Sequence, residues 1–285
     1  MQTAALSCID LATGLGESFA LPPAGVPLEF LREQEINGRR LHPRHAIARE
    51  DNSLLDLIST GYVACGAHAG DAVVMGRTVR TLAKRGIAIG AHASYPDIFG
   101  FGQLPADLPD REVEDIVLVQ VASLQALAYA AGSRVVSVKC HGALCSDVNY
   151  DERSAQVMAR TLYKFDPEIA LVCRAQSPGA RVARDCGVRV IEEACIDRAY
   201  DASGRVVRGD HPAALITDPA TAVRQFLRLV ERREVQTVDG KTLCLAATSF
   251  CLHSDTPNAA AIAAAIAQAI QSRGLSVRAP GTPCT

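Results

Sequence analysis

Four of the seven histidines, His68, His92, His141 and His253, stand just beyond short apolar runs: "YVACGAH", "IAIGAH", "VVSVKCH" and "LAATSFCLH". Other polar residues share those places. Asp71 follows His68, Tyr95 and Asp97 follow His92, Lys139 precedes His141, and Asp255 follows His253. "VIEEACIDRAY" ends in Asp197, Arg198 and Tyr200, and the first apolar run supplies Asp10 with Glu17 beyond it. Several imidazoles with carboxylates can do two kinds of chemistry. Neutral imidazole and carboxylate oxygen suit Zn²⁺ or Mn²⁺. The same groups can move protons on a small polar molecule without a metal. Lys139 adds a cation for a substrate carboxylate, a phosphate or a developing oxyanion. With no H-x-H or H-E-x-x-H spacing, a divalent metal stays open, with His68, His92, His141 and His253 as its candidate ligands.

Nucleophilic chemistry has weaker support. There is no G-x-S-x-G elbow. Cys140 and His141 are adjacent on a strand, so they point to opposite faces. Cys65 reads as a small packed residue. "GLGES" lacks both the dinucleotide spacing and the Lys-Ser/Thr ending of a phosphate loop. His42, His45 and His211 fall in charged excursions and read as solvated.

The elements that must position these residues alternate. Strands are expected at Ala4–Leu11, Tyr62–Cys65, Ile87–Ala91, Val135–Cys140, Ile169–Cys173, Val188–Glu192 and Leu245–Leu252. Helices are expected at Asp71–Arg85, Asp110–Ala131, Asp151–Phe165, Gly179–Asp185, Asp218–Arg233 and Thr256–Ser272, with Pro257 at the first helical position of the last. Seven strands separated by helices fit a closed or nearly closed β/α barrel, whose site lies at the C-terminal strand ends. No linker divides the chain, so residues 1–285 read as a single α/β domain. One proline-rich excursion, at about residues 21–51, follows the first strand and reads as a loop over the barrel mouth.

Net charge is −2, no basic block stands out and Trp is absent, which argues against nucleic acid as a partner. No apolar run reaches the ~18–20 residues of a bilayer span, and the first residues lack a basic n-region. The reading is a cytoplasmic protein with no membrane partner. Its ten cysteines form no C-x-x-C pair and read as free thiols in a reducing compartment.

The ordered stretches "DLATGLGESF", "VACGAHAGD", "GIAIGAHASYPDIFGFG", "VKCHGAL", "DRAYDASGRVVRG" and "LHSDTPNA" resemble the LamB/YcsF family of 5-oxoprolinase A subunits. The resemblance spans most of residues 7–274. It implies a seven-stranded β/α barrel of the glycoside hydrolase and polysaccharide deacetylase type. It implies work with two further 5-oxoprolinase-type subunits, which together open the cyclic amide of 5-oxoproline to glutamate with ATP as co-substrate. By the same resemblance His68, His92, His141 and His253 share proton transfer or metal ligation. Lys139 binds the substrate carboxylate or polarises the ring carbonyl. Asp10, Asp197 and Asp255 orient these groups or act as bases. Asp10, Glu17, Tyr95 and Arg198 contact substrate, Arg198 being equally a structural partner for Asp197. The family's Asp-Leu-Asn-x-Asp-Leu-Gly-Glu has Ala12 and Gly14 at its Asn and second Asp places here, and Gln103 stands where Arg is common. These departures keep two alternatives in view: a substrate-shifted or non-catalytic paralogue, and a metal-dependent amidase or deacetylase. The sequence leaves a homo-oligomer open.

Overall fold

The computed structural model describes residues 6–18, 54–207, 209 and 211–282, with the backbone of 35–36 and 39–40. Seven parallel strands close on themselves: β1 (Cys8–Leu15), β4 (Thr60–Ala64), β5 (Ala88–Ala93), β6 (Val135–Cys140), β7 (Ala170–Arg174), β8 (Val190–Cys195) and β11 (Ser249–Cys251). Closure is made where Asp10–Ala12 of β1 pair with Ser249–Cys251. Around the barrel run α1 (Ala72–Arg85), α2 (Asp110–Ala130), α3 (Gly142–Tyr150), α4 (Glu152–Phe165), α5 (Pro178–Asp185), α6 (Pro219–Arg232) and α7 (Ala259–Arg273). Two short hairpins, β2 (Glu35–Ile36) with β3 (Arg39–Arg40) and β9 (Glu234–Gln236) with β10 (Thr242–Cys244), stand outside it. A final strand, β12 (Ser276–Val277), pairs with Cys8 and Ile9. Apart from β2 and β3, the 21–51 excursion lies outside the described residues, as do His42 and His45.

The strands are apolar because both faces are covered. Outward residues such as Leu11, Val63, Ile89, Val138 and Leu171 pack under the helices in one continuous core. Inward residues alternate with them. Ala12, Tyr62, Ala170, Val172 and Ile191 form a small apolar plug inside the barrel. Each helix start is fixed locally where the sequence offers a cap: Asp71 Oδ1 accepts from Val73 N (2.8 Å) and Val74 N (2.9 Å), and Asp151, Ser177 and Asp218 do the same for α4, α5 and α6.

Three expectations are corrected. β1 runs on to Leu15 instead of ending at Leu11, because Ala12–Leu15 pair with β4 and hold Gly14 in the sheet; the turn comes at Gly16, φ +70°. The last helix begins at Ala259 after a left-handed Asn258, so Pro257 precedes it. α2 is long and apolar enough by composition to cross a bilayer, contrary to the reading that no run is. Its Val117, Val121, Leu124 and Ala128 are buried on the barrel, and its Gln120 side chain bonds both backbone groups of Ser94 beyond β5. α3 follows His141 directly, at a place where no helix is expected from the pattern.

Candidate active site

Three of the four strand-end histidines converge. His68 stacks on His141 with ring centroids 4.0 Å apart, and His92 meets both edge-on. Glu17 completes the group: its Oε1 lies 3.4 Å from His68 Nε2, 3.8 Å from His92 Nε2 and 3.9 Å from His141 Nδ1. Backbone carbonyls set two of the tautomers. His92 Nδ1 lies 3.1 Å from Lys139 O, and His141 Nε2 lies 2.8 Å from Phe101 O. A carbonyl only accepts, so each of these nitrogens carries the proton when the ring is neutral. The opposite nitrogens, His92 Nε2 and His141 Nδ1, are then lone pairs facing each other at 3.2 Å, beside a carboxylate oxygen. Burial, then the neighbouring imidazoles and Lys139, push the His92 pKa well below its ordinary value; burial and His68 lower that of His141 to about 3. The rings are therefore neutral, and three electron-pair donors converge within 4.8 Å of one another. Neutral imidazole and carboxylate are the donor set of a divalent cation such as Zn²⁺ or Mn²⁺, so these residues fit one.

Local backbone conformation builds this cluster. Phe101 holds φ +56°, an unusual value for a non-glycine residue, and aims its carbonyl at His141. Gly142, φ +57°, sits so close to Gly102 that an added Cβ would fall 1.9 Å from Gly102 O, while Ala143 N donates to that oxygen at 2.9 Å. On β1, a Cβ at Gly14 would point at Glu17 Oε1 (3.1 Å) and His92 (3.4 Å). A side chain at this place would enter the same cluster, against Glu17.

The fourth histidine belongs elsewhere. His253 Nδ1 lies 2.8 Å from Asp197 Oδ1, and Asp197 also takes Arg198 Nη1 (2.8 Å), the His253 backbone N–H (3.0 Å) and Thr256 Oγ1. Arg198 Nη2 reaches Asp255 at 3.2 Å. Burial alone would raise the Asp197 carboxyl pKa, but Arg198 and His253 hold it below the usual carboxylate range. Burial and Arg198 oppose the His253 cation, yet the imidazole pKa is raised above its ordinary value. The Cys251 thiol is pushed well above its ordinary value and stays protonated, so Asp197 carries that effect. A raised folded pKa stabilises fully below the unfolded value near 6.5 and is lost as pH rises through the higher folded value. Relative to His253→Gln, the wild type should lose on the order of 1–2 kcal/mol of unfolding free energy across that window. Denaturant titrations at several pH values check this; parallel curves for the two proteins would refute the pairing.

A third cluster lies between β6, β7 and β8. Glu193 Oε1 takes Lys139 Nζ at 2.7 Å and Glu193 Oε2 takes Arg174 Nη1 at 2.9 Å. Lys139 Nζ also reaches Cys251 Sγ (3.0 Å), and Arg174 Nη1 reaches Cys195 Sγ (2.7 Å). Burial opposes the Lys139 cation, but the Glu193 carboxylate at 2.7 Å keeps its pKa above the ordinary value, the neutral Cys251 thiol adding no charge.

Asp10 and Tyr95, both read from the sequence as site residues, have partners within the protein. Asp10 lies two inward positions deeper than Gly14 and is spent on the hydroxyls of Ser59 (2.7 Å), Thr60 (2.7 Å) and Ser249 (2.6 Å), tying β1 to both neighbours. Tyr95 donates to Asp147 on α3 at 2.8 Å. His211 is exposed, as expected. Glu193, Arg174 and Cys195 are absent from the residues expected at the site. "IEEAC" and "LVCRA" read as buried strands, and only strand alternation, which places Glu193 and Arg174 on the inward face, could have found them.

Taken together, a closed parallel β/α barrel with neutral imidazoles, carboxylates and buried cations at its strand ends defines a barrel protein equipped for polar chemistry on a small molecule. The LamB/YcsF family model matches residues 42–283, and the chain belongs to that family. It is 41% identical over 231 residues to the 5-oxoprolinase A subunit of Chloroflexus aggregans, covering 81% of this chain and 92% of that one. It is 34% identical over 273 residues to a 5-oxoprolinase A subunit of Pseudomonas syringae pv. tomato, covering 96% and 97%. Among solved structures, the lactam utilization protein from Thermus thermophilus superposes with a TM-score of 0.81 at 32% identity, over 95% of this chain and 99% of that one.

Proposed function

We propose that this chain is the A subunit of an ATP-dependent 5-oxoprolinase, a cytoplasmic enzyme that opens 5-oxoproline to glutamate together with two partner subunits. The observation that carries the site is the convergence of Glu17, His92 and His141 with their lone pairs facing one another. The relatives' names supply the reaction. The reading assigns ATP handling to the partner subunits, in keeping with a sequence that offers no phosphate loop. The nine described cysteines are all free, which suits a reducing compartment.

Glu17, His92 and His141 would hold a divalent cation, with His68 stacked against them. When bound, such an ion polarises a carbonyl or activates a water. The chain's own residues do the rest. His253 keeps Nδ1 on Asp197, which fixes the ring, with Nε2 3.9 Å from Cys251 Sγ; at neutral pH the imidazolium can protonate the departing ring nitrogen. Arg198 and Thr256 hold Asp197 in place. At 24% side-chain exposure His253 is reachable from the mouth, as is His141 at 12%, whereas His68 and His92 are walls.

The test is reconstitution with the cognate partner subunits and an assay for glutamate release. Glutamate should appear only with all subunits and ATP. Release without ATP would favour the amidase reading, and no release from 5-oxoproline would favour the substrate-shifted or non-catalytic paralogue suggested by Ala12 and Gly14.

A further inference from the structure

The inward side chains of β6, β7 and β8 place two cations on one carboxylate. Both oxygens of Glu193 are used, one by Lys139 and one by Arg174, and the side chains of Glu193 and Lys139 are 1% and 5% exposed. Burying a cation without a matching anion is strongly unfavourable, so this arrangement is one negative charge short. The buried Cys195 thiol lies against the same guanidinium, its Sγ 2.7 Å from Arg174 Nη1.

Arg174 is the half of the pair that a ligand can reach. It closes β7 at the barrel mouth, its side chain is 17% exposed, and both of its side-chain contacts use Nη1. Its Nε and Nη2 make no hydrogen bond to a described residue and are not buried. The backbone beneath is fixed, since Arg174 N donates to Asn149 Oδ1 at 2.6 Å and Asn149 is itself buried on α3. A guanidinium held by one nitrogen with its outer edge open matches the geometry of a carboxylate.

We propose that the open edge of Arg174 is an anion subsite that receives the carboxylate of the substrate, so that this site selects acid-bearing lactams over plain ones. This assigns to Arg174 the contact that the family resemblance gave to Lys139, whose ammonium is committed to Glu193. The inference rests on the proposed lactam-opening function.

The experiment uses the complex reconstituted with its partner subunits. It measures KM for 5-oxoproline and the inhibition constant of 2-pyrrolidinone, which has the same ring without the carboxylate, for wild type, Arg174→Gln and Arg174→Lys. Loss of a charged contact should raise KM for 5-oxoproline about 10- to 100-fold in Arg174→Gln. Arg174→Lys should recover part of the loss, and 2-pyrrolidinone inhibition should be unchanged. An unaltered KM in both variants would overturn the subsite, as would an equal weakening of 2-pyrrolidinone, which would mean general damage to the pocket. If Arg174→Gln does not fold, Arg174→Lys decides alone: the lost two-point contact should still raise KM severalfold, and no change refutes the proposal. A wild-type complex that fails to open 5-oxoproline defeats the functional reading itself; a normal wild type with an unaltered variant KM defeats only the subsite.

Discussion

Replacing Glu17 by Gln should lower lactam opening by the reconstituted complex on the order of 10²–10⁴-fold while leaving the chain folded. The substitution keeps the size of the side chain and removes its charge and one electron-pair donor. Glu17 is 4% exposed and ringed by His68, His92 and His141. Ionised histidines around it would make a plain ion-pair cluster, yet burial and mutual proximity keep His92 and His141 neutral. A carboxylate beside two imidazole lone pairs is instead the donor set of a divalent cation. Two readouts follow: turnover, and divalent metal retained after purification without chelator, which should fall with Glu17→Gln. Turnover within about threefold of wild type would remove Glu17 from the machinery, since loss of a positioned group is worth far more.

Glu193→Gln should be the most damaging change to stability, at about 3–5 kcal/mol, because it leaves two cations sharing a neutral amide in the barrel interior. Glu193 is 2% exposed and accepts from Lys139 and Arg174 at 2.7 and 2.9 Å. The double replacement Glu193→Leu with Lys139→Met should cost less than the single one, because it removes a buried charge along with its partner. Urea denaturation of the two proteins measures this. A loss below about 1 kcal/mol for Glu193→Gln would place the carboxylate in solvent and contradict the bridge.

Much of the scaffold was legible from pattern alone. All seven barrel strands have apolar runs, and β6 has the same ends in the pattern and the fold. α1, α4, α5 and α6 begin beside their capping residues, because a cap is a contact within one turn. The boundaries that moved answer to longer-range contacts. β1 extends because β4 pairs with it as far as Leu15, and α7 starts late because the chain passes through a left-handed Asn258. α3 could not be read, since its start rests on Gly142 fitting against Gly102, forty residues away in sequence.

For the site, the sequence by itself determined which residue types stand at the strand ends and, through the alternation of strands and helices, that they share one end of a barrel. It did not determine how they group. Only the tertiary structure decided that Glu17 joins His68, His92 and His141, that His253 pairs with Asp197 instead, and that Asp10 ties the barrel's own strands together. The physical reason is that strand periodicity fixes the face each side chain points to, whereas closure and strand order fix its neighbours. Those neighbours set burial, tautomer and charge, and the chemistry of the site depends on all three.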